Sequence, residues 1–409
     1  MRVLIVDDDA NHAKFVRILL ERAGHNVEIR NSPRVALSDA AGLAPDCMLL
    51  DLLMPEMDGM ELCSRLRKIP SLREAKIIIV SSKAYDSDRQ RSIELGADGY
   101  ITKPIDPQLF VAEIERLVSN RLIVNFWGVR GTLPVTGPRS LRYGGNTPCI
   151  TMEAPEQPLL IFDAGTGIKA LSDHLVSAGS GRLTAKLIFS HPHWDHINTL
   201  PFFAPLYQQG NEVEIMGPRQ ADLTVRQLIS MQMDRIFFPI TIREFAARVD
   251  FRDLREEEIT VGKFTIATKM LSHPGNCLGY RVTYQGRSVC YVTDNEMYPR
   301  DTPYYNPQYL EKLSEFVAAA DILITDCTYL DENYPEHVGW GHSCAREVAS
   351  LAARGKVKRL LLFHHDPNQG DDQIDAKLEQ VQKHLAGLNS ATVCECPAEG
   401  SRVVLASSA

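Results

Sequence analysis

Five times over its first 120 residues the chain alternates a short aliphatic run with a helix-period segment, and at Leu122 that alternation stops. The apolar runs are Val3–Val6, Val27–Ile29, Cys47–Leu50, Ile77–Val80 and Tyr100–Thr102, and segments such as Ala13–Leu20 lie between them. Continuous apolar strands separated by helices predict a parallel sheet covered on both faces, a doubly wound five-stranded α/β domain with right-handed crossovers. From Leu122-Ile-Val-Asn-Phe-Trp onward, strands follow one another directly: Cys149–Glu153, Pro158–Asp163, and a meander over Phe264–Leu271, Tyr280–Tyr284 and Ser288–Val292 that turns at Gln285-Gly286. Strand–helix alternation returns in the last hundred residues, which predicts two sheets flanked by helices, an αβ/βα sandwich. The expected domains are therefore 1–120 and 121–409, with no Gly/Ser- or Pro-rich linker between Ile114–Val118 and the next strand. The stretch 202–250 fits neither pattern and reads as an insertion.

A length of 409 residues is too great for one ordinary core, in agreement with that division. No apolar run approaches the roughly 20 residues of a membrane span. Met1 is followed at once by Arg-Val-Leu-Ile-Val and three aspartates, without the pattern of a signal peptide, so a cytoplasmic protein with no membrane partner is expected. The 9 cysteines form no CxxC pair and read as reduced, buried hydrophobes. Net charge is −8, both parts are mildly acidic, and no basic run occurs. That balance argues against a large nucleic-acid footprint, which needs clustered positive charge, and favours a small substrate.

Acids stand where the first alternation ends its strands. Asp7, Asp8 and Asp9 close the first run and Asp51 closes the third, while Ser81 follows the fourth and Lys103-Pro104 the fifth. Strand ends flanking the switch point of a doubly wound sheet form its ligand crevice. Carboxylates meeting there would hold a hard cation such as Mg²⁺, beside a carboxylate nucleophile, a hydroxyl and a mobile ammonium. Asp9 reads as a helix cap. Over its full length the segment 1–120 resembles a response-regulator receiver domain. The resemblance implies Asp7 and Asp8 as the acidic metal pair and Asp51 as the phospho-acceptor. It implies Ser81 and Lys103 as contacts of the phosphoryl group, Tyr100 as the switching aromatic and a sensor histidine kinase as partner.

In the second part, Ser190-His-Pro-His-Trp-Asp-His196 follows an apolar strand at Lys186–Phe189. Within this HxHxDH segment His191 and His193 can chelate one ion, and Asp195 and His196 a second a few ångströms away. Two-metal hydrolases hold their ions about 3.5–4 Å apart and clamp attacking and leaving oxygens together. Such ligands suit Zn²⁺ first, with Mn²⁺ or Fe²⁺ as alternatives. More donors are needed, and isolated candidates end later strands: His273 after Thr265–Ser272, Asp294 after Val289–Thr293, and His364 after Arg359–Phe363. Together these residues resemble the metallo-β-lactamase superfamily from about Arg121 onward. That resemblance implies His191, His193 and His273 on one ion, and Asp195, His196 and His364 on the other, with Asp294 between them.

Cys290 and Cys327 do not fall where β-lactamases replace ligands with cysteine, and the all-His/Asp set is similar to the branch containing ribonuclease Z and cyclic phosphodiesterases. Gly341-His342-Ser343 is similar to that branch's GHS/T element, whose histidine contacts the scissile phosphate. Asp163-Ala-Gly-Thr-Gly resembles its supporting glycine turn, with Asp163 structural. Phe126-Trp-Gly-Val-Arg-Gly-Thr and Gly144-Gly145-Asn146-Thr147 resemble stretches of the cyclic-phosphodiesterase-like subgroup, with no catalytic role assigned. The expected activity is hydrolysis of a cyclic nucleotide or other small phosphodiester, with Asp195 orienting the nucleophile and His342 protonating the leaving oxygen. Ribonuclease-type cleavage, thioester hydrolysis and a metal-stabilised signalling module without turnover are the alternatives. Met231, Met233, Phe237 and Phe238 are expected to form a pocket wall, and His12, His25, His174 and His384 to be solvated. Phosphorylation of Asp51 would reach the hydrolase through the last receiver helix or through a changed homodimer contact.

Overall fold

A computed structural model describes residues 1–73, 75–83, 85–119, 121–154, 157–177 and 182–406. The chain divides into two compact units, one of Met1–Arg121 together with Ala406 and the other of Leu122–Leu405, so that the end residues of β6 and β19 fall on the division. The expected boundary at Asn120 lies outside the described residues.

The first unit is a parallel sheet of β1 (Arg2–Val6), β2 (Asn26–Arg30), β3 (Cys47–Asp51), β4 (Lys76–Ser81) and β5 (Gly99–Thr102) in the order β2-β1-β3-β4-β5. Its helices are α1 (Ala10–Arg22), α2 (Pro33–Leu43), α3 (Gly59–Leu66), α4 (Asp86–Glu94) and α5 (Phe110–Ser119). Successive strand side chains point to opposite faces. Val3, Ile5, Leu49 and Val80 accordingly pack with Val16 and Leu20 of α1 and Phe110 and Ile114 of α5. Leu4, Val6, Leu50 and Ile79 pack on the other face with Ala36 of α2 and Leu62 of α3. Both faces are buried, which is why the strands read as unbroken apolar runs. The strand order reverses at β1 and β3, so the ends of those two strands open the crevice in which Asp7 and Asp51 stand.

The second unit contains β6 (Arg121–Gly128), β7 (Cys149–Glu153), β8 (Leu159–Phe162), β9 (Thr184–Ile188), β10 (Glu212–Pro218), β11 (Arg248–Leu254), β12 (Glu258–Val261), β13 (Phe264–Met270), β14 (Leu278–Tyr284), β15 (Arg287–Val292), β16 (Ile322–Asp326), β17 (Arg359–Phe363), β18 (Val393–Glu395) and β19 (Arg402–Ala406). They build two seven-stranded sheets, β11-β10-β9-β8-β7-β6-β19 and β12-β13-β14-β15-β16-β17-β18. Phe126, Phe162 and Ile188 of the first sheet meet Tyr280, Tyr291 and Phe363 of the second in a shared core. The outer face of the first sheet is covered by α6 (Ile168–Ser177) and α8 (Val225–Gln232), through residues such as Leu171 and Ile229. The outer face of the second is covered by α9 (Pro307–Phe316), α10 (Ala345–Arg354) and α11 (Asp371–Gly387), through Leu313, Val348 and Val381. The architecture is the αβ/βα sandwich.

The β14–β15 hairpin turns at Gln285 and Gly286, both at positive φ (46° and 78°), between the paired Tyr284 and Arg287. This is the mirror-image two-residue turn that matches the twist of antiparallel strands. One expectation needs correction. The stretch 202–250 is not external to the fold, because it supplies β10 and α8 and begins β11, two parallel strands and the helix over them. Its sequence hid this: β11 alternates exposed and half-buried side chains over most of its length, lacking the aliphatic run that marks an interior strand. Among the described residues no helix is long and apolar enough to cross a membrane.

Candidate metal centre

The residues singled out in the second part sit just beyond the C-terminal ends of their strands, where the parallel strands of both sheets open on one edge. His191 lies three residues past β9, Asp294 two past β15, and His364 directly after β17. His193 is the N-cap of the short helix α7 (Trp194–Ile197), Asp195 and His196 lie within it, and His273 is in the loop between β13 and β14. Asp163, Asp294 and His364 all adopt positive φ (61°, 50° and 56°). That backbone region is costly for a side chain as large as His364, and strain of this kind is held in place by the packing around it.

Seven side chains converge in two groups that share one carboxylate. His191, His193, His273 and Asp294 form the first and Asp195, His196, Asp294 and His364 the second, each with donor atoms all within 4.8 Å of one another. The two oxygens of Asp294 divide the task. Oδ2 lies 3.5 Å from His191 Nε2 and 3.7 Å from His273 Nε2. Oδ1 lies 3.3 Å from both His196 Nε2 and His364 Nε2. Asp195 Oδ2 completes the second group at 3.1 Å from His364 Nε2 and 3.3 Å from His196 Nε2.

This geometry fits divalent cations on three counts. His191 Nε2 and His196 Nε2 are buried ring nitrogens without a hydrogen-bond partner, and a metal would satisfy both. Burial pushes the His191 pKa well below its usual value, so the ring is neutral and has a lone pair to give. Burial also opposes charge on His196, yet Asp294, Asp195 and Asp163 outweigh it and raise its pKa well above the usual value. The pocket's field thus calls for positive charge.

Behind the donors, a second layer of groups fixes which nitrogen faces inward. His196 Nδ1 is 2.9 Å from Asp163 Oδ2, and that fully buried carboxylate also accepts from Ser190 N (2.7 Å), Ser190 Oγ (3.0 Å) and, across the two sheets, Tyr291 Oη (2.7 Å). His273 Nδ1 donates to the Gly341 carbonyl at 2.9 Å. His191 Nδ1 lies 3.0 Å from Ser190 Oγ and 3.6 Å from Cys277 Sγ. Asp195 Oδ2 accepts from Thr132 N at 2.7 Å. Such partners orient ligating imidazoles and set their basicity. Two glycines are required by closeness: a Cβ on Gly131 would strike the His364 ring, and one on Gly341, at φ 86°, would strike the His273 ring.

His342 stands beside both groups, its ring 5.3 Å from that of His273 and 4.9 Å from that of His364. Its Nδ1 lies 2.9 Å from Asp326 Oδ2, at the end of β16. Burial disfavours the cation, but Asp326, Asp294 and Asp195 outweigh it and raise the pKa to about 9. The loop carrying His342 is held by Glu296, which is fully buried and accepts from Gly339 N and Gly341 N (2.7 Å each) and from Tyr334 Oη (2.7 Å).

Asp326 and Glu296 were not anticipated, nor was the orienting part played by Asp163. A sequence signal existed for Asp326, an acid ending an aliphatic run as Asp51 does. The two stretches left without a role supply Gly131 and Thr132 and, in Thr147, a side chain that accepts from Thr166 N at 2.8 Å in the glycine turn. Of the expected pocket wall, Met231 and Phe237 are exposed, whereas Met233 and Phe238 pack in the core under α8.

In the first unit, Lys103 Nζ lies 2.5 Å from Asp51 Oδ1 and 3.2 Å from Asp7 Oδ2, and Leu53 N donates to Asp51 Oδ2 at 2.7 Å. Burial raises the Asp51 pKa against the pull of Lys103. Asp8 is exposed at the mouth, Ser81 is buried at the end of β4, and Tyr100 is turned inward with its hydroxyl on the Lys83 carbonyl at 2.8 Å. Asp9 caps α1. His12 departs from expectation: it is not a solvated surface residue, and its Nδ1 reaches Asp7 Oδ2 at 2.6 Å.

Comparison with known proteins agrees with both units. Residues 3–115 match the response regulator receiver domain family, and residues 160–365 match the beta-lactamase superfamily domain. The response regulator ArlR of Staphylococcus saprophyticus is 30% identical over 132 residues, covering 32% of this chain and 59% of its own. The chain thus spans little more than half the length of such relatives. The metallo-beta-lactamase fold protein YhfI of Bacillus subtilis aligns over 70% of this chain and 100% of its own, with a TM-score of 0.52 and 20% identity. Unliganded yeast PDE1 aligns over 69% of this chain and 99% of its own, with a TM-score of 0.54 and 15% identity. At those identities the two structures show a shared fold. The chain therefore belongs to the β-lactamase superfamily, and carries its metallo-β-lactamase-fold, hydrolase-like domain behind a response-regulator receiver domain.

Proposed function

We propose that the second unit is a dinuclear metal-dependent phosphodiesterase acting on a cyclic nucleotide or another small phosphodiester, and that phosphorylation of Asp51 by a sensor histidine kinase controls it. The observation that carries this reading is the division of Asp294 between two complete donor groups with the His342–Asp326 pair at their side. His191, His193, His273 and Asp294 would hold one ion, and Asp195, His196, His364 and Asp294 the other, with Zn²⁺ first among the candidates and Mn²⁺ or Fe²⁺ after it. Bound there, the ions supply a water acidified towards neutral pH and positive charge against the phosphate oxygens.

The chain's own groups do the rest. Asp163 holds His196 by Nδ1 and keeps Nε2 turned inward. Asp195, fixed by Thr132 N, orients the attacking water. Asp326 holds His342 by Nδ1, so that Nε2–H is left to stabilise the phosphate and to pass its proton to the leaving oxygen. PDE1 bears the name of a phosphodiesterase, and an all-His/Asp donor set agrees with that class. In the first unit, Asp7 and Asp8 would hold Mg²⁺, with Lys103 and Ser81 receiving the phosphoryl group on Asp51 and Tyr100 responding to it.

Metal analysis joined to turnover of bis(p-nitrophenyl) phosphate, with and without chelator, tests the hydrolase. Two ions per chain with chelator-sensitive turnover are expected. A fully loaded protein inert towards phosphodiesters, RNA and thioesters alike would instead identify a signalling module without turnover. Equal turnover with and without a phosphoryl mimic, in wild type and Asp51→Asn, would remove the control by phosphorylation.

A further inference from the structure

Of the five imidazole donors only His364 has a positive φ, 56°, a conformation that persists where the surroundings hold it. His364 also differs in what meets its Nδ1. Asp163 and the Gly341 carbonyl can only accept, so they place the hydrogen of His196 and of His273 on Nδ1 and leave Nε2 its lone pair. Among the described residues the Nδ1 of His364 has one neighbour in hydrogen-bond reach, the hydroxyl of Thr328 at 3.3 Å, and a hydroxyl can give a hydrogen bond as well as take one. Its direction depends on where the hydroxyl proton goes. Thr328 Oγ1 lies 2.9 Å from the His364 carbonyl and 3.3 Å from Asp326 Oδ1, both of them acceptors. Either takes the proton and leaves a lone pair facing Nδ1.

Thr328 is buried and held from behind. Its N donates to Asp326 Oδ1 at 3.2 Å, and its carbonyl accepts from Gln369 Nε2 at 2.9 Å and from Lys377 Nζ at 3.3 Å. Lys377 is fully buried, and its other acceptor is Gln369 Oε1 at 2.7 Å. Both of its partners are neutral oxygens, and both belong to the clamp on Thr328. From this we infer that Thr328 is the positioning residue of His364. Its hydroxyl takes the Nδ1 hydrogen, ties down the carbonyl of the left-handed residue, and so keeps Nε2 facing Asp195 Oδ2 and Asp294 Oδ1. The inference rests on the dinuclear reading and deepens it, because it makes the second ion, and not the first, depend on a single hydroxyl. One strand end then serves two rings that stack 4.9 Å apart: just past β16, Asp326 holds His342 and Thr328 holds His364.

The test titrates the full-length, Zn²⁺-loaded protein against a chromogenic chelator, which reads the affinity of each ion without turnover. Thr328→Val keeps the branched shape and deletes the hydroxyl. One ion should then bind about 10–100-fold more weakly while the other is unchanged, the size expected when a ligating imidazole loses its orienting partner. Thr328→Ser, which restores the hydroxyl, should return both affinities close to wild type. In His193→Ala, which removes a donor from the first group only, adding Thr328→Val should weaken the remaining ion by the same factor. Two ions held by Thr328→Val as tightly as by wild type would overturn the inference. Equal weakening of both ions, with a lower Tm of the metal-free protein, would also overturn it, since that is the mark of a merely structural residue. Selective loss of one ion from a protein that hydrolyses no phosphodiester would uphold Thr328 and sink the phosphodiesterase reading. Phosphodiester turnover with both affinities unmoved in Thr328→Val would do the reverse.

Discussion

The two units set acidic side chains at the ends of parallel strands, and they do it to opposite ends. In the receiver, Asp7 and Asp51 face a lysine that already neutralises them, Asp8 faces solvent, and the donors are all oxygens. A hard ion entering there would have to displace contacts the pocket has already made. In the second unit, His191, Asp195, His196, Asp294 and His364 are buried together, the Nε2 atoms of His191 and His196 have no hydrogen-bond partner within the protein, and Asp163 and the Gly341 carbonyl hold His196 and His273 by Nδ1. That pocket leaves places for cations that its own groups do not fill. The presence of a partner decides the difference, since Asp7 and Asp51 are buried as well: their charge is met by Lys103, whereas the inward nitrogens of His191 and His196 have no hydrogen-bond partner within the protein.

The largest expected effect attacks the shared carboxylate. Asp294→Ala should lower kcat/KM by about 1000-fold or more, roughly 4 kcal/mol of barrier, and should deplete both ions in a metal analysis. Retention of both ions with near-wild-type turnover would break the contrast at its root. Next, Asp326→Asn should reduce kcat by about 10²–10⁴-fold while leaving two ions bound, because Asp326 bonds His342 directly and reaches the donor His364 only through Thr328. Loss of metal in that variant would show the pair to be part of the ion cage. Asp163→Asn should weaken metal affinity by about 10–100-fold, measured by competition with a chromogenic chelator, through a misdirected His196.

On the receiver side, a chelator that strips Mg²⁺ but leaves the buried ions in place should stop phosphorylation of Asp51 by a small phosphoryl donor, and added Mg²⁺ should restore it. Phosphorylation that survives Mg²⁺ removal would erase the distinction between the pockets. The smallest effect belongs to Tyr291→Phe, which removes one hydroxyl from buried Asp163. It should cost about 1–2 kcal/mol of stability, seen as a Tm lower by a few degrees, with turnover nearly kept.

Much of this was legible from the residues in order. Aliphatic runs ending in Asp7, Asp51, Asp294 and His364 located strand ends, and strand ends are where both folds put their chemistry. The HxHxDH turn pointed to metal ligation because three imidazoles and a carboxylate within six positions have few other uses, and the structure brings its four side chains into the two donor groups. The stretch 202–250 was misread because β11 is an edge strand that buries little, and a half-exposed strand leaves no aliphatic run to find. His12 was taken for a surface residue since its helical position says nothing of the β1 end against which α1 packs.

By itself, then, the sequence determined the two-part α/β organisation and the identity of the seven converging side chains, because both follow from local periodicity and from which residue types can bind metal. Only the tertiary structure decided how those side chains are aimed. The Asp163–His196, Tyr291–Asp163, Asp326–His342 and Glu296–Gly341 contacts join residues 16 to 128 positions apart. Hydrogen-bond direction across such separations is set by how sheets and loops pack, and local sequence pattern carries no information about it.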